Sequence, residues 1–182
     1  MEFIKRNTKI FILSGIARSG KDTVGKIIKN YYSNKDCISI AFAYYIKDYV
    51  KRITDWDGSE DTKPRELLQQ LGIELVKERI DDKLFINRVL EDIKVFSYFY
   101  DIIVVDDARL PDEIDTLKKN YPNSVSIRII RNDYDNGLTE SQKNHITETG
   151  LDNYNNFDYV VYNDENINKT IEEILKEVEV WK

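Results

Sequence analysis

The chain has 182 residues, with 33 acidic against 27 basic side chains for a net charge of −6, and 41% of it is hydrophobic. That length suits one domain with a substantial buried core, and the negative balance excludes general binding to nucleic acid or to anionic membranes. A single cysteine, Cys37, excludes a disulfide framework and, in its apolar stretch, reads as a buried structural thiol.

Five short apolar runs read as strands in chain order: Ile10–Leu13, Ile38–Phe42, Ile102–Val105, Val125–Ile130 and Tyr159–Tyr162. Several are almost continuously apolar, the pattern of parallel strands covered on both faces. Helical stripes lie between them. Leu68, Leu71, Leu75 and Val76 form one, led by Thr62 and Pro64 as start signals. Ile86, Val89, Leu90, Ile93 and Phe96 form another, and Ile167, Ile171, Ile174, Leu175 and Val178 the last. Strands alternating with helices predict an α/β domain: a five-stranded parallel sheet with helices on both faces, in three layers. Residues 1–182 read as a single domain, interrupted by a helical insertion at about 43–96 and a turn-rich, lid-like loop at about 132–150. No run reaches membrane-spanning length and the first residues lack a leader's apolar core, so a cytoplasmic protein is expected.

The segment Gly15-Ile-Ala-Arg-Ser-Gly-Lys-Asp-Thr23 carries the most chemistry. It joins the first strand to a helical pattern, which is the setting of a phosphate-binding glycine loop. Gly15 and Gly20 permit backbone angles closed to other residues, so that successive N–H groups, with Ala17, Arg18 and Ser19 between them, can face phosphate oxygens. Lys21 adds a full charge at the start of the helix, where the dipole already favours anions. Asp22 stands where a hydroxyl residue normally follows the lysine, with Thr23 next; a carboxylate there can bind magnesium or one of its waters.

In a parallel sheet, ligands sit beyond the carboxyl ends of the strands. The third strand reads as ending in Val105, with Asp106 directly after it as the better metal-binding acid and Asp107 next. Arg109 follows, with a forked guanidinium suited to phosphate. The other cations near expected element ends are Arg18, Lys47, Arg65, Arg128 and Arg131. Arg65 stands out, because a cation in the first turn of a helix opposes the dipole unless an anion is bound nearby. His145, the only histidine, has no partnering pattern and no general-base role.

Taken together these segments resemble the phage-type deoxynucleoside monophosphate kinases, a branch of the P-loop nucleoside monophosphate kinase fold. The phosphate loop carries Asp22 as in that family. Phe42–Lys47, Lys63–Gln69, Asp106–Glu113, His145–Glu148 and Phe157–Asp164 resemble its later motifs. The resemblance implies ATP and Mg2+, small-molecule nucleotide substrates, no nucleic acid or membrane partner, and a homodimer as a conceivable assembly. It implies catalytic roles for Lys21, Arg18, Asp106 and Arg109, metal binding by Asp22 and Asp106, and acceptor binding by Lys47, Arg65, Arg109 and Arg131. Residues 132–150 depart from the pattern in having no arginine. A kinase of another phosphorylated small molecule, of the phosphomevalonate type, and a nucleotide-binding regulatory ATPase stand as alternative readings.

Overall fold

A computed structural model describes residues 2–132 and 134–179. Strands β1 (Lys9–Ser14), β2 (Cys37–Ile40), β3 (Ile102–Ala108), β4 (Val125–Ile130) and β5 (Tyr159–Tyr162) form one sheet in the order β2-β3-β1-β4-β5. Every pairing is parallel. The helices are α1 (Lys21–Tyr31), α2 (Phe42–Ile53), α3 (Arg65–Gln70), α4 (Leu84–Phe96), α5 (Pro111–Asn120), α6 (Glu140–Lys143), α7 (Ile146–Thr149) and α8 (Ile167–Glu179). Among the described residues no helix is long and apolar enough to cross a membrane.

The apolar strands are explained by two cores, one on each face of the sheet. Side chains alternate along a strand. Phe11 and Leu13 of β1 therefore pack with Val24 and Ile28 of α1 and Ile171 and Leu175 of α8. Ile10 and Ile12 face the other way, with Val89 and Ile93 of α4 and Ile114 and Leu117 of α5. Helix α4 thus covers the sheet. A third, smaller core of Val50, Leu71 and Val76 belongs to the helical section itself.

Four details differ from the sequence reading. Helix α3 continues into a π-helical segment, Leu71–Ile80, closed by an Asp81 N–H bond to the Val76 carbonyl five residues back. The wider pitch puts Leu71 and Val76 on the inner face and turns Leu75 outward, where it is 45% exposed. Strand β2 ends at Ile40, not Phe42, because the Asp107 carboxylate draws the N–H groups of Phe42 and Ala43 into the first turn of α2. Strand β3 runs on to Ala108, so Asp106 lies inside it. Cys37, expected to be buried, is only half-buried at the start of β2.

Candidate active site

The turn between β1 and α1 is built by its backbone angles. Gly15 has φ +156° and Gly20 +106°, and between them Arg18 holds φ +59°. A side chain at Gly15 would lie 2.6 Å from the Ile129 carbonyl oxygen, and one at Gly20 would lie 2.2 Å from Asn163 Nδ2. The Asn163 amide donates to the Ser19 carbonyl at 2.8 Å, so β5's end braces the loop. Ser19 Oγ is buried without a hydrogen-bonding partner among the described residues.

Lys21 follows as the first residue of α1, 8% exposed. Its ammonium donates to the carbonyls of Gly15 and Ile16, both at 2.8 Å, and so folds back over the loop. Burial, and then the nearby Arg109 guanidinium, pull its pKa down to about 7 against the opposing pull of Glu148, Asp107 and Asp22. A lysine held in this way gains by meeting an anion.

The acids sit at the end of β3. Ile12 pairs with Val105 and Ser14 with Ala108, so two β3 residues oppose the single Leu13. Such a bulge re-aims side chains at the end of a strand, and both Asp106 and Asp107 line the same cleft. Burial, then the charges of Asp107 and Asp22, push the Asp106 carboxyl up to about 7. Asp107 is different in kind. It is also pushed up by burial, yet its oxygens accept the Phe42 N–H at 2.8 Å and the Ala43 N–H at 2.9 Å.

Beyond the acids, Arg109 reaches toward α7, donating to the Thr147 carbonyl at 3.2 Å and forming an ion pair with Glu148. Glu113 positions that turn: one carboxylate oxygen accepts the N–H groups of Arg109 and Leu110 at 2.7 and 3.0 Å. The same Glu148 carboxylate accepts the Ala17 N–H of the glycine loop at 2.8 Å. Arg18 donates to the Asn136 carbonyl at 3.0 Å. The segment from Asn136 to Glu148 therefore lies over the loop. Within it His145 caps α7 through Nδ1, which accepts the Thr147 N–H at 3.3 Å.

At the far end of the cleft three cations converge on Glu60. Lys63 lies 2.9 Å from it, Arg65 3.7 Å and Lys47 3.8 Å. Burial, with Lys47 and Arg65 nearby, lowers the pKa of Lys63 although Glu60 opposes the shift. One cleft of about 720 Å³ connects this cluster to Lys21, Asp22, Asp106 and Arg109, over an apolar wall that includes Leu68, Ile73 and Phe85.

The structure brings together Arg18, Lys21, Asp22, Asp106, Arg109, Lys47 and Arg65 along this cleft. It does not bring Arg131 there. That guanidinium, one residue past the end of β4, stacks 3.6 Å from the ring centre of Tyr134 and does not line the cleft. Arg128 is also off the cleft, bonded to Ser14 Oγ at 3.3 Å and 3.8 Å from Asp152. Residues the sequence reading did not single out are Lys63, Glu60, Glu113 and Glu148, and Asp107 stood there only as the weaker of two metal-binding acids. All but Glu60 lie inside motifs it had marked, but a search for cations and metal-binding acids passes over carboxylates that bond to backbone N–H groups.

A parallel five-stranded α/β/α sheet with a glycine loop ahead of α1 and a bipolar cleft defines a P-loop kinase, an enzyme that binds nucleotide and transfers phosphoryl groups. The chain belongs to the deoxynucleotide monophosphate kinase family, which it matches over residues 56–174. The glycine loop precedes that span. Solved structures share the fold at low identity. They include the APS kinase of Mycobacterium tuberculosis with AMPPNP and APS bound, at 12% identity over 96% of this chain and 99% of that one, TM-score 0.54. A sugar kinase from Janibacter is 11% identical over 96% of each chain, TM-score 0.56. A gluconokinase from Sinorhizobium meliloti is 14% identical over 96% of this chain and 93% of its own, TM-score 0.51. Among curated proteins none matches the sequence.

Proposed function

We propose that this kinase transfers the γ-phosphoryl group of ATP to the phosphate of a deoxynucleoside monophosphate. The observation that carries the reading is the cleft itself. It joins an amide-lined loop with Lys21 to a second cation cluster, Lys47, Lys63 and Arg65, with acids between them. Two phosphorylated substrates could meet there end to end, and the apolar wall of Leu68, Ile73 and Phe85 offers room for a base.

In this reading the N–H groups from Ala17 to Thr23 hold the β- and γ-phosphates, and Lys21 and Arg18 bear on their outer oxygens. Arg109, at the middle of the cleft, faces the transferring group. An oxygen of the acceptor phosphate forms the new bond to phosphorus as the bond to the β-phosphate oxygen breaks. That oxygen is already ionised, so no general base is required, and catalysis is positioning and charge stabilisation. Closing again once both substrates are seated, the 136–148 segment would keep water from taking the acceptor's place.

Magnesium fits the acids present. Asp106 is crowded by Asp107 and Asp22, a repulsion that a divalent cation relieves. Among the described residues no group of three or more potential ligands forms a metal site. Mg2+ needs none, because it commonly binds one or two carboxylates together with waters and substrate phosphates. Asp22 and Asp106 would hold it, and when bound it would neutralise charge on the nucleotide phosphates.

Each deoxynucleoside and ribonucleoside monophosphate is to be offered with ATP and magnesium, and ADP formation measured. At least one deoxynucleotide should raise turnover well above the rate without acceptor. A rate that no monophosphate raises would sink this reading in favour of another phosphorylated acceptor or an ATP-driven regulator.

A further inference from the structure

We propose that Glu148 is an internal stand-in for a nucleotide phosphate, latching the 136–150 segment onto the phosphate loop until a polyphosphate displaces it. The inference rests on the reading of Gly15–Thr23 as the nucleotide site. Its basis is the identity of the donors that Glu148 engages. One carboxylate oxygen accepts the Ala17 N–H of the glycine loop at 2.8 Å, and the other pairs with the Arg109 guanidinium. Lys21 lies close enough for the same carboxylate to affect its charge. These are a backbone amide, an arginine and a lysine, which are the groups that bind a phosphate oxygen. The Glu148 side chain is only 8% exposed, so it is seated among these groups rather than hanging over them.

A single N–H cannot serve Glu148 and a phosphate oxygen at full strength. Polyphosphate entry must therefore lift the carboxylate from Ala17 and free Arg109 to turn to the new anion. Since Glu148 belongs to the short helix α7, its release loosens that helix. The movement reaches the acceptor side as well, because the Gln69 amide of α3 donates to Thr147 Oγ1 at 3.3 Å and to the Gln142 carbonyl at 3.4 Å. Charge exchange at one end of the cleft is thereby tied to the position of the helix that carries Arg65 at the other.

The test uses the full chain, with inorganic tripolyphosphate and MgATP as probes and no acceptor. Equilibrium binding is measured for wild type, E148A and E148D, with circular dichroism to establish folding. Glu148→Ala should bind tripolyphosphate about tenfold more tightly, or ~1.4 kcal/mol. Glu148→Asp keeps the charge but is one methylene short of spanning Ala17 and Arg109, and it too should bind several-fold more tightly. In wild type, tripolyphosphate should speed backbone hydrogen exchange across 139–150, whereas E148A should show fast exchange there before any addition. Unchanged or weaker binding by E148A would overturn the latch and make Glu148 a support for Arg109. Tight binding by E148A with wild-type affinity in E148D would also overturn it, because charge repulsion alone then accounts for the gain. Failure of every protein to bind tripolyphosphate would instead remove the nucleotide-site reading, so the two failures are distinguishable.

Discussion

Asp107 at the end of β3 holds the first turn of α2, its two carboxylate oxygens accepting the N–H groups of Phe42 at 2.8 Å and Ala43 at 2.9 Å. The residue before the helix, Ala41, has no side-chain acceptor to offer, so the cap comes from across the sheet. Strand β3 carries the neighbouring Asp106, and α2 carries Lys47, so this bond fixes an acid and an acceptor-side cation in one frame.

Replacing Asp107 should therefore damage both stability and the site. Hydrogen bonds to a charged acceptor are worth ~1.5–3 kcal/mol, and D107A should lose about 2–3 kcal/mol in urea unfolding. D107N keeps one good acceptor and should lose about half of that. Asp106 caps no helix, and its charged form is disfavoured by burial and by Asp107 and Asp22, so D106N should leave the unfolding midpoint at or above wild type while lowering magnesium-dependent turnover at least tenfold. Equal destabilisation by D106N and D107N would show that the two acids do not divide the work in this way.

Glu113 predicts a pH dependence. Burial pushes its carboxyl up to about 8 from an ordinary 4.5, against the two backbone N–H groups it accepts, with Asp107 adding to the rise. Between those two values the folded form keeps a proton that the unfolded chain releases. Unfolding then releases a proton, so this group's contribution to stability falls as the pH rises from 4.5 to 8 and is fully lost above that. Glutamine can place a carbonyl oxygen where the N–H groups of Arg109 and Leu110 converge, without a charge to bury. E113Q should match wild type near pH 5 and exceed it by ~2 kcal/mol at pH 8.5. The difference in thermal unfolding midpoint between the two proteins, followed across that range, is the measurement. A constant difference would mean that Glu113 does not titrate there.

Gly15 and Lys21 should separate fold from chemistry within one loop. A methyl group at Gly15 meets the Ile129 carbonyl oxygen at 2.6 Å and Ser19 Oγ at 2.4 Å, at a φ of +156° that side chains disfavour. G15A should lose ~2 kcal/mol of stability as well as nucleotide affinity. Lys21→Met leaves the backbone angles alone, so its far-UV spectrum should be unchanged. Its kcat/KM for phosphoryl transfer should fall at least ~100-fold, a loss of about 2.7 kcal/mol of transition-state stabilisation. A folded K21M enzyme with full activity would contradict the role given to the ammonium.

The sheet was legible because its residues repeat a simple rule. Ile10–Leu13 and Ile102–Val105 are apolar on both faces, and only a strand covered by helices on each side makes such a run useful. The glycine loop was legible because Gly15, Gly20 and Lys21 act through the local backbone. What the sequence concealed depends on partners far away along the chain. Nothing near Asp107 tells that it caps a helix 65 residues earlier, and nothing near Glu148 tells that it reaches Ala17, 131 residues before it. The π-helical pitch after Gln70 was hidden for another reason. The stripe Leu68, Leu71, Leu75, Val76 satisfies the α period, and the small core of Val50, Leu71 and Val76 selects the wider one. Arg131 misled because an arginine just past a central strand has two sides to turn to, and the ring of Tyr134 holds it on the one away from the cleft.

The acceptor site can be tested through Lys63, the cation closest to Glu60. Lys47, Lys63 and Arg65 bring three positive charges against the single charge of Glu60, and Lys63 is the most enclosed of the three at 16% side-chain exposure. Held close together, like charges raise the energy of the cluster, and a phosphomonoester dianion meets their excess better than one carboxylate does. K63A should therefore raise the KM for the acceptor monophosphate about tenfold, a loss of ~1.4 kcal/mol. The KM for ATP should stay within about twofold, because the cluster lies at the other end of the cleft from Lys21. Glu60→Gln should act in the opposite direction on acceptor KM, since it removes the carboxylate that competes for these cations without removing a donor. Steady-state kinetics with each substrate varied in turn is the measurement. If K63A raised the KM for ATP and left the acceptor's unchanged, the ends of the cleft would have to be exchanged.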